Sequence, residues 1–236
     1  MQREELYQIA SDAVREEELH SKDIPAIDLY VDQIINLVSE RLRTGSERYF
    51  DRQLTKTMIN NYSKDGLITP VKGKKYNKEQ IIQILTVYTL KNTLSIGEIK
   101  RLLQGAYAVD GFDGDSLIAL YDRYLDIKGD NRQFSLEILD ALIQEHSLDP
   151  SEEEGFMLTV GAMLSLSAFL RQIAQAMIDE KYPIPPEEEE KKDEKKEEKE
   201  KAKKEKEKEK EEKKKKKKDT ETVSEDSSEG ESEAQS

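Results

Sequence analysis

Lys56, Asn60 and Asn61 lie close together in the segment TKTMINNYSKDG of a 236-residue chain. The forked amide of asparagine can bond an adenine edge through donor and acceptor at once in the DNA major groove, and a lysine ammonium can reach a guanine or a phosphate. Thr55 and Thr57 beside them are short and polar. Further along, Lys72, Lys74 and Lys75 surround Gly73 and are followed by Tyr76. Lysines on a glycine-bearing loop can touch phosphates, which position a protein without reading sequence. Tyr76 can use its ring to pack such a loop onto a helix, or its hydroxyl to meet a phosphate. An ordinary solvated face carries the same residue types, so charge distribution has to weigh between the two.

The chain as a whole carries a net charge of -13, which by itself argues against nucleic acid. The balance is uneven, however. From Arg41 to Lys78 there are about ten basic against about three acidic side chains, and from Arg101 to Tyr182 about six against about fifteen. A local basic surface, not the total, sets attraction to phosphates. DNA is therefore permitted at one end of the fold and disfavoured at the other.

Other chemistries find little support. With no cysteine, disulfides, thiolate zinc sites and a cysteine nucleophile are excluded. His20 and His146 are far apart and make no metal pair. Asp110, Asp113 and Asp115 alternate with glycines, but lack the register and the terminal glutamate of a calcium loop, so Asp115 or Ser116 is expected to cap a helix there. No Gly-Lys-Ser/Thr phosphate loop and no G-x-S-x-G elbow occurs. We expect no enzyme, no cofactor and no metal. The charged N-terminus does not read as a signal peptide, so the cytoplasm is expected.

The elements that must position these residues are helical. Apolar spacing predicts helices over 3–20 and 26–43, the second with Ile27, Tyr30, Val31, Ile34, Ile35, Leu37, Val38 and Leu42 inward. Thr55 is a natural N-cap for a helix ending at Lys64, and Asp65-Gly66 supplies its left-handed terminus. Residues 69–76, with Pro70 and Gly73, read as a small loop or hairpin. Asn77 with Gln80 and Ser95 with Glu98 have the capping-box spacing and start helices over 78–93 and 96–104. A loop over 105–114 and helices over 115–128, 134–147 and 152–181 follow. Phe156–Leu170 is the most apolar run; too short to span a bilayer, it is expected to be a central core helix or a dimer interface. Residues 187–236 are almost purely charged or Ser- and acid-rich, and cannot bury a core.

The block Asn61-Tyr62-Ser63-Lys64-Asp65-Gly66-Leu67-Ile68-Thr69-Pro70 resembles the RYYEKxGLLxP signature of MerR-like regulators. Lys74-Lys75-Tyr76-Asn77 resembles their wing, and Leu94 to Leu103 their FSLEEIRELL helix. Ile24 to Leu103 is closer still to the uncharacterised bacterial YkrK family, domain of unknown function 1836, itself regarded as MerR-like. The resemblance covers roughly residues 22–125. It implies a winged helix-turn-helix, double-stranded DNA as partner, and a homodimer through residues 152–181. Asn60 and Asn61 stand where the MerR signature has Arg and Tyr.

The sequence thus predicts a mainly α fold: an N-terminal helix (1–21), a MerR-like winged helix-turn-helix (22–125), a C-terminal helical region (126–182) and a charged tail (183–236) that is disordered or a solvated helix. The function expected is sequence-specific DNA binding in transcription regulation, with Thr55, Lys56, Thr57, Asn60, Asn61, Lys72, Lys74, Lys75 and Tyr76 at the DNA. No membrane contact is expected, and no small-molecule effector is identified. The alternative is a non-enzymatic protein-interaction adaptor on the same fold, motivated by Asn60, Asn61 and the acidic C-terminal half.

Overall fold

Among the described residues, seven helices and two very short strands follow one another in the computed structural model: α1 (Arg3–Ala13), β1 (Leu29–Tyr30), α2 (Val31–Arg41), α3 (Lys56–Lys64), β2 (Lys75–Tyr76), α4 (Lys78–Leu90), α5 (Ile96–Tyr107), α6 (Gly114–Glu145) and α7 (Glu153–Lys181), together with a 3-10 turn at Ser21–Asp23. The structure describes residues 2–15, 17–41, 53–71 and 73–184. The charged tail from residue 185 onward and the expected helix end at 42–43 lie outside the described residues. The fold is mainly α, as the apolar periodicity predicts.

Local signals set several boundaries. The Thr55 hydroxyl accepts the Met58 amide at the start of α3, and Gly66, with φ +72°, ends it. The Leu67 amide reaches back to the Tyr62 carbonyl and the Gly66 amide to that of Ser63, which satisfies two orphan acceptors of the last turn. Both capping boxes are present: the Asn77 side chain accepts the Gln80 amide while the Gln80 side chain accepts that of Asn77, and Ser95 and Glu98 do the same.

The core centres on α4. Ile81, Ile82, Ile84, Leu85 and Val87 are all fully buried, joined by Ile34 and Val38 of α2, Ile59 and Tyr62 of α3, Ile99 and Leu103 of α5, and Leu117, Tyr121 and Leu125 of α6. Each such side chain contributes about 1.5–3 kcal/mol by leaving water. A small second cluster joins Leu6 of α1 to Leu139 and Ile143 of α6.

Several expectations need correction. The first helix ends at Ala13 instead of continuing to 20. Beyond it the chain is drawn onto α6: Leu19 is fully buried, its carbonyl accepts the Tyr121 hydroxyl, Glu18 pairs with Arg132 and Lys128, and Asp122 accepts both the amide and the hydroxyl of Ser21. The second helix starts at Val31, because Leu29 and Tyr30 form a strand; Ile27 and Tyr30 are consequently exposed. Of the loop or hairpin expected over 69–76, the described residues form the loop. Lys75–Tyr76 pairs antiparallel with Leu29–Tyr30. Pro70 has no amide to give to a ladder, and the carbonyls of Thr69 and Pro70 are taken by the Gln80 side chain. The helices expected at 115–128 and 134–147 are one helix, α6; Gly129 costs a helix only about 1 kcal/mol, and no proline interrupts. Its N-cap is Asp113, which accepts the Ser116 amide. The helix of 96–104 runs to Tyr107, and that of 78–93 stops at Leu90. Finally, Phe156–Leu170 is not a central core helix. Among the large apolar residues of α7, Met157, Leu164, Phe169, Leu170, Ile173 and Met177 are each more than half exposed.

Candidate functional site

The amphipathic split of α3 decides which side chains are available. Ile59 and Tyr62 are buried and Met58 is half-buried, while Lys56, Thr57, Asn60, Asn61 and Ser63 are exposed. No hydrogen bond among the described residues engages the side chains of Asn60 or Asn61. Thr55 is exposed too, but its hydroxyl is committed to the cap. Behind the helix, Lys91 reaches the Met58 sulfur and lies over the rings of Tyr62 and Tyr88. The Tyr62 hydroxyl is buried without a partner; burial first, and the nearby Tyr88 second, push its pKa up to about 12.

The loop that follows α3 is held by two buried glutamines of α4. Gln83 accepts the Thr69 amide at 2.8 Å and the Thr69 hydroxyl at 3.3 Å. Its own amide nitrogen donates to the Tyr107 hydroxyl at 2.8 Å. That hydroxyl in turn donates to Glu79 Oε1 at 2.7 Å. Burial and the Glu79 carboxylate together raise the Tyr107 pKa to about 12. Gln80 takes the next two carbonyls at 3.2 and 3.1 Å. A chain of hydrogen bonds therefore runs from α5 through α4 to the loop, and fixes where the loop stands relative to α3. Gly73, with φ +82°, makes the reversal.

Beyond that turn, Lys74 and Lys75 are exposed. Lys75 Nζ stands 5.0 Å over the Tyr30 ring, directly across the strand pair, an exposed cation–π contact worth roughly 0.5–1 kcal/mol. Tyr76 is buried, opposite Leu29. Its ring is part of the core. Lys72 lies outside the described residues.

An open groove of about 1100 Å³ runs between α3, the loop and the end of α5. Lys56, Asn60, Ser63 and Lys64 form one wall, Thr69 to Val71 with Gly73 and Lys74 another, and Gln104 and Tyr107 close one end. Asp32 of α2 is the acidic side chain on its lining, against three lysines. Of the residues expected at DNA, Lys56, Asn60, Lys74 and Tyr76 line this groove, while Thr55, Thr57, Asn61 and Lys75 do not. Ser63 and Lys64 were missed by the sequence reading. Their signal was available, since positions 56, 60, 63 and 64 follow helical spacing. Gln83 and Tyr107 gave no such signal, because their role depends on contacts 14 and 24 residues distant.

Elsewhere, His20 Nδ1 lies 3.6 Å from Asp122. Among the described residues no group of three or more His, Asp or Glu side chains is arranged to hold a metal ion.

Residues 19–124 match the model of a family described as a domain of unknown function, DUF1836. The match nearly coincides with the stretch whose resemblance the sequence suggested, and contains every residue of the groove. No curated protein and no solved structure matches the chain.

Proposed function

We propose that the chain is a sequence-specific reader of double-stranded DNA that acts in transcription regulation, with α3 as the helix entering the major groove. The observation that carries this reading is the convergence of Lys56, Asn60, Lys64 and Lys74 on one open groove, although a loop separates Lys74 from α3. The order strand, helix, helix, loop and returning strand is the order of a winged helix-turn-helix, and the loop is braced on α4 by Gln80 and Gln83 as a wing has to be. The MerR-like blocks over residues 61–70, 74–77 and 94–103 add to it. In this reading Asn60 and Asn61 bond base edges, Lys56 a base or phosphate, and Lys72, Lys74 and Lys75 the phosphates. The protein would then work in the cytoplasm.

Selection of bound fragments from sheared bacterial genomic DNA tests it. About four phosphate contacts predict an affinity that falls roughly 100-fold between 50 and 200 mM salt. Absence of enrichment at 50 mM salt would sink the reading. One observation favours a second reading, a protein-interaction adaptor that no longer binds DNA: the exposed apolar surface of α7. An adaptor's affinity for its partner would hardly respond to the same change of salt.

A further inference from the structure

Each of the two paired strands is only two residues long, so together they carry two facing pairs of side chains. Successive strand residues point to opposite faces. Leu29 and Tyr76 make the inward pair, 5% and 8% exposed, and anchor the strands in the core. Tyr30 and Lys75 make the outward pair. Tyr30 is 48% exposed, although apolar spacing sets it inward on a helix. It lines the open groove together with Lys56, Asn60, Lys64 and Lys74. Its amide donates to the Gln33 side chain at 2.9 Å, and Lys75 Nζ rests 5.0 Å over its ring. Asp32, two residues on, is an exposed acid on the same groove. Yet no ion pair among the described residues engages Lys75.

We infer that Tyr30 is a positioning residue: its ring holds the Lys75 ammonium beside the groove, where a phosphate of the DNA backbone meets it. This role rests on the DNA reading and adds to it a residue that carries no charge of its own. A carboxylate could hold the lysine too, but it would cancel the charge that attracts the phosphate. A ring face holds the ammonium without neutralising it and leaves N–H donors for the anion. An unheld lysine side chain samples many rotamers, and a ligand that needs one of them binds more weakly by the fraction populated. An exposed cation–π contact favours the held arrangement about 2–5-fold. The buried pair makes the device dependable. With Leu29 and Tyr76 in the core the register is fixed, and a slip that parts Tyr30 from Lys75 would pull both out of it.

A double-mutant cycle on the full chain tests this, with a duplex recovered from the genomic selection as probe. Affinities are read between about 50 and 200 mM salt. Lys75→Ala should lower the slope of log affinity against log salt by about 0.9, the mark of one phosphate contact. Tyr30→Leu should weaken binding about 2–5-fold while Lys75 is present, and should change nothing in the Lys75→Ala background. Tyr30→Phe, which keeps the ring, should bind like the wild type. Tyr30→Thr suits a strand and should repeat the Tyr30→Leu result, so that a lost strand pair is not mistaken for a lost cation. Equal losses from Tyr30→Leu in both backgrounds would overturn the positioning role and leave the DNA reading standing. So would a Tyr30→Phe variant as weak as Tyr30→Leu, which would put the hydroxyl and not the ring at the DNA. A wild-type chain that binds no duplex would overturn both.

Discussion

α4 and α7 are both apolar helices, yet they end in opposite surroundings. From Gln80 to Leu85 every residue of α4 is buried, and its two glutamines are fully engaged in bracing the loop beside α3. α7 is longer and holds a more continuous apolar run, yet only Gly155, Thr159 and Ile178 are buried. The difference teaches that apolar content says a helix must be covered, not by what. α4 is covered by α2, α3, α5 and α6 of its own chain, whereas α7 leaves most of its large apolar side chains exposed.

Substitutions on the two helices sharpen that contrast. Ile84→Ala in α4 should cost about 3 kcal/mol, a transfer loss plus a cavity. Leu164→Ala in α7 should cost no more than about 0.5 kcal/mol in dilute protein. Urea unfolding of dilute protein measures both, and equal losses would break the comparison. Next in size is Gln83→Ala, which strands the Thr69 amide and part of the Tyr107 hydroxyl network; it should cost about 1–3 kcal/mol, with faster hydrogen exchange at Thr69.

An alkaline titration tests the same buried region. Tyr62 and Tyr107 have folded pKa values raised to about 12, above the unfolded value of about 10. Both stay protonated below pH 10 in either state, so their contribution is fully present there. It is lost as pH rises from about 10 through about 12, because the unfolded chain releases those protons more readily. A melting temperature flat across that window would contradict the burial of both hydroxyls. The smallest effect is expected from Tyr62→Phe. Removing a buried hydroxyl that has no partner should be neutral or stabilising by at most about 1 kcal/mol.

Local chemistry was the legible part of this chain. Thr55, Asp65-Gly66, Asn77 with Gln80, and Ser95 with Glu98 act within a few residues of themselves, and the helix ends they announce are found. What depends on distant partners was hidden. Leu19 enters the core and unwinds what periodicity reads as helix. Leu29–Tyr30 becomes a strand only because Lys75–Tyr76 comes to lie beside it. Gln83 looks like any helical polar residue until Thr69 and Tyr107 meet it. The candidate site divides the same way: Lys56, Asn60 and Lys74 could be named from type and spacing, whereas their meeting at one groove depends on the glutamine brace behind the loop.

A fluorescence-anisotropy titration of a fragment recovered from the genomic selection, at 50 mM salt, tests the central claim most directly. The wild-type chain should bind, Lys74→Glu with Lys75→Glu should lose at least about tenfold in affinity for every duplex tried, and Asn60→Ala should chiefly relax preference at one base pair, by about 1–3 kcal/mol. Wild-type binding that the lysine reversals leave unchanged would contradict the claim that the groove beside α3 is where DNA is held.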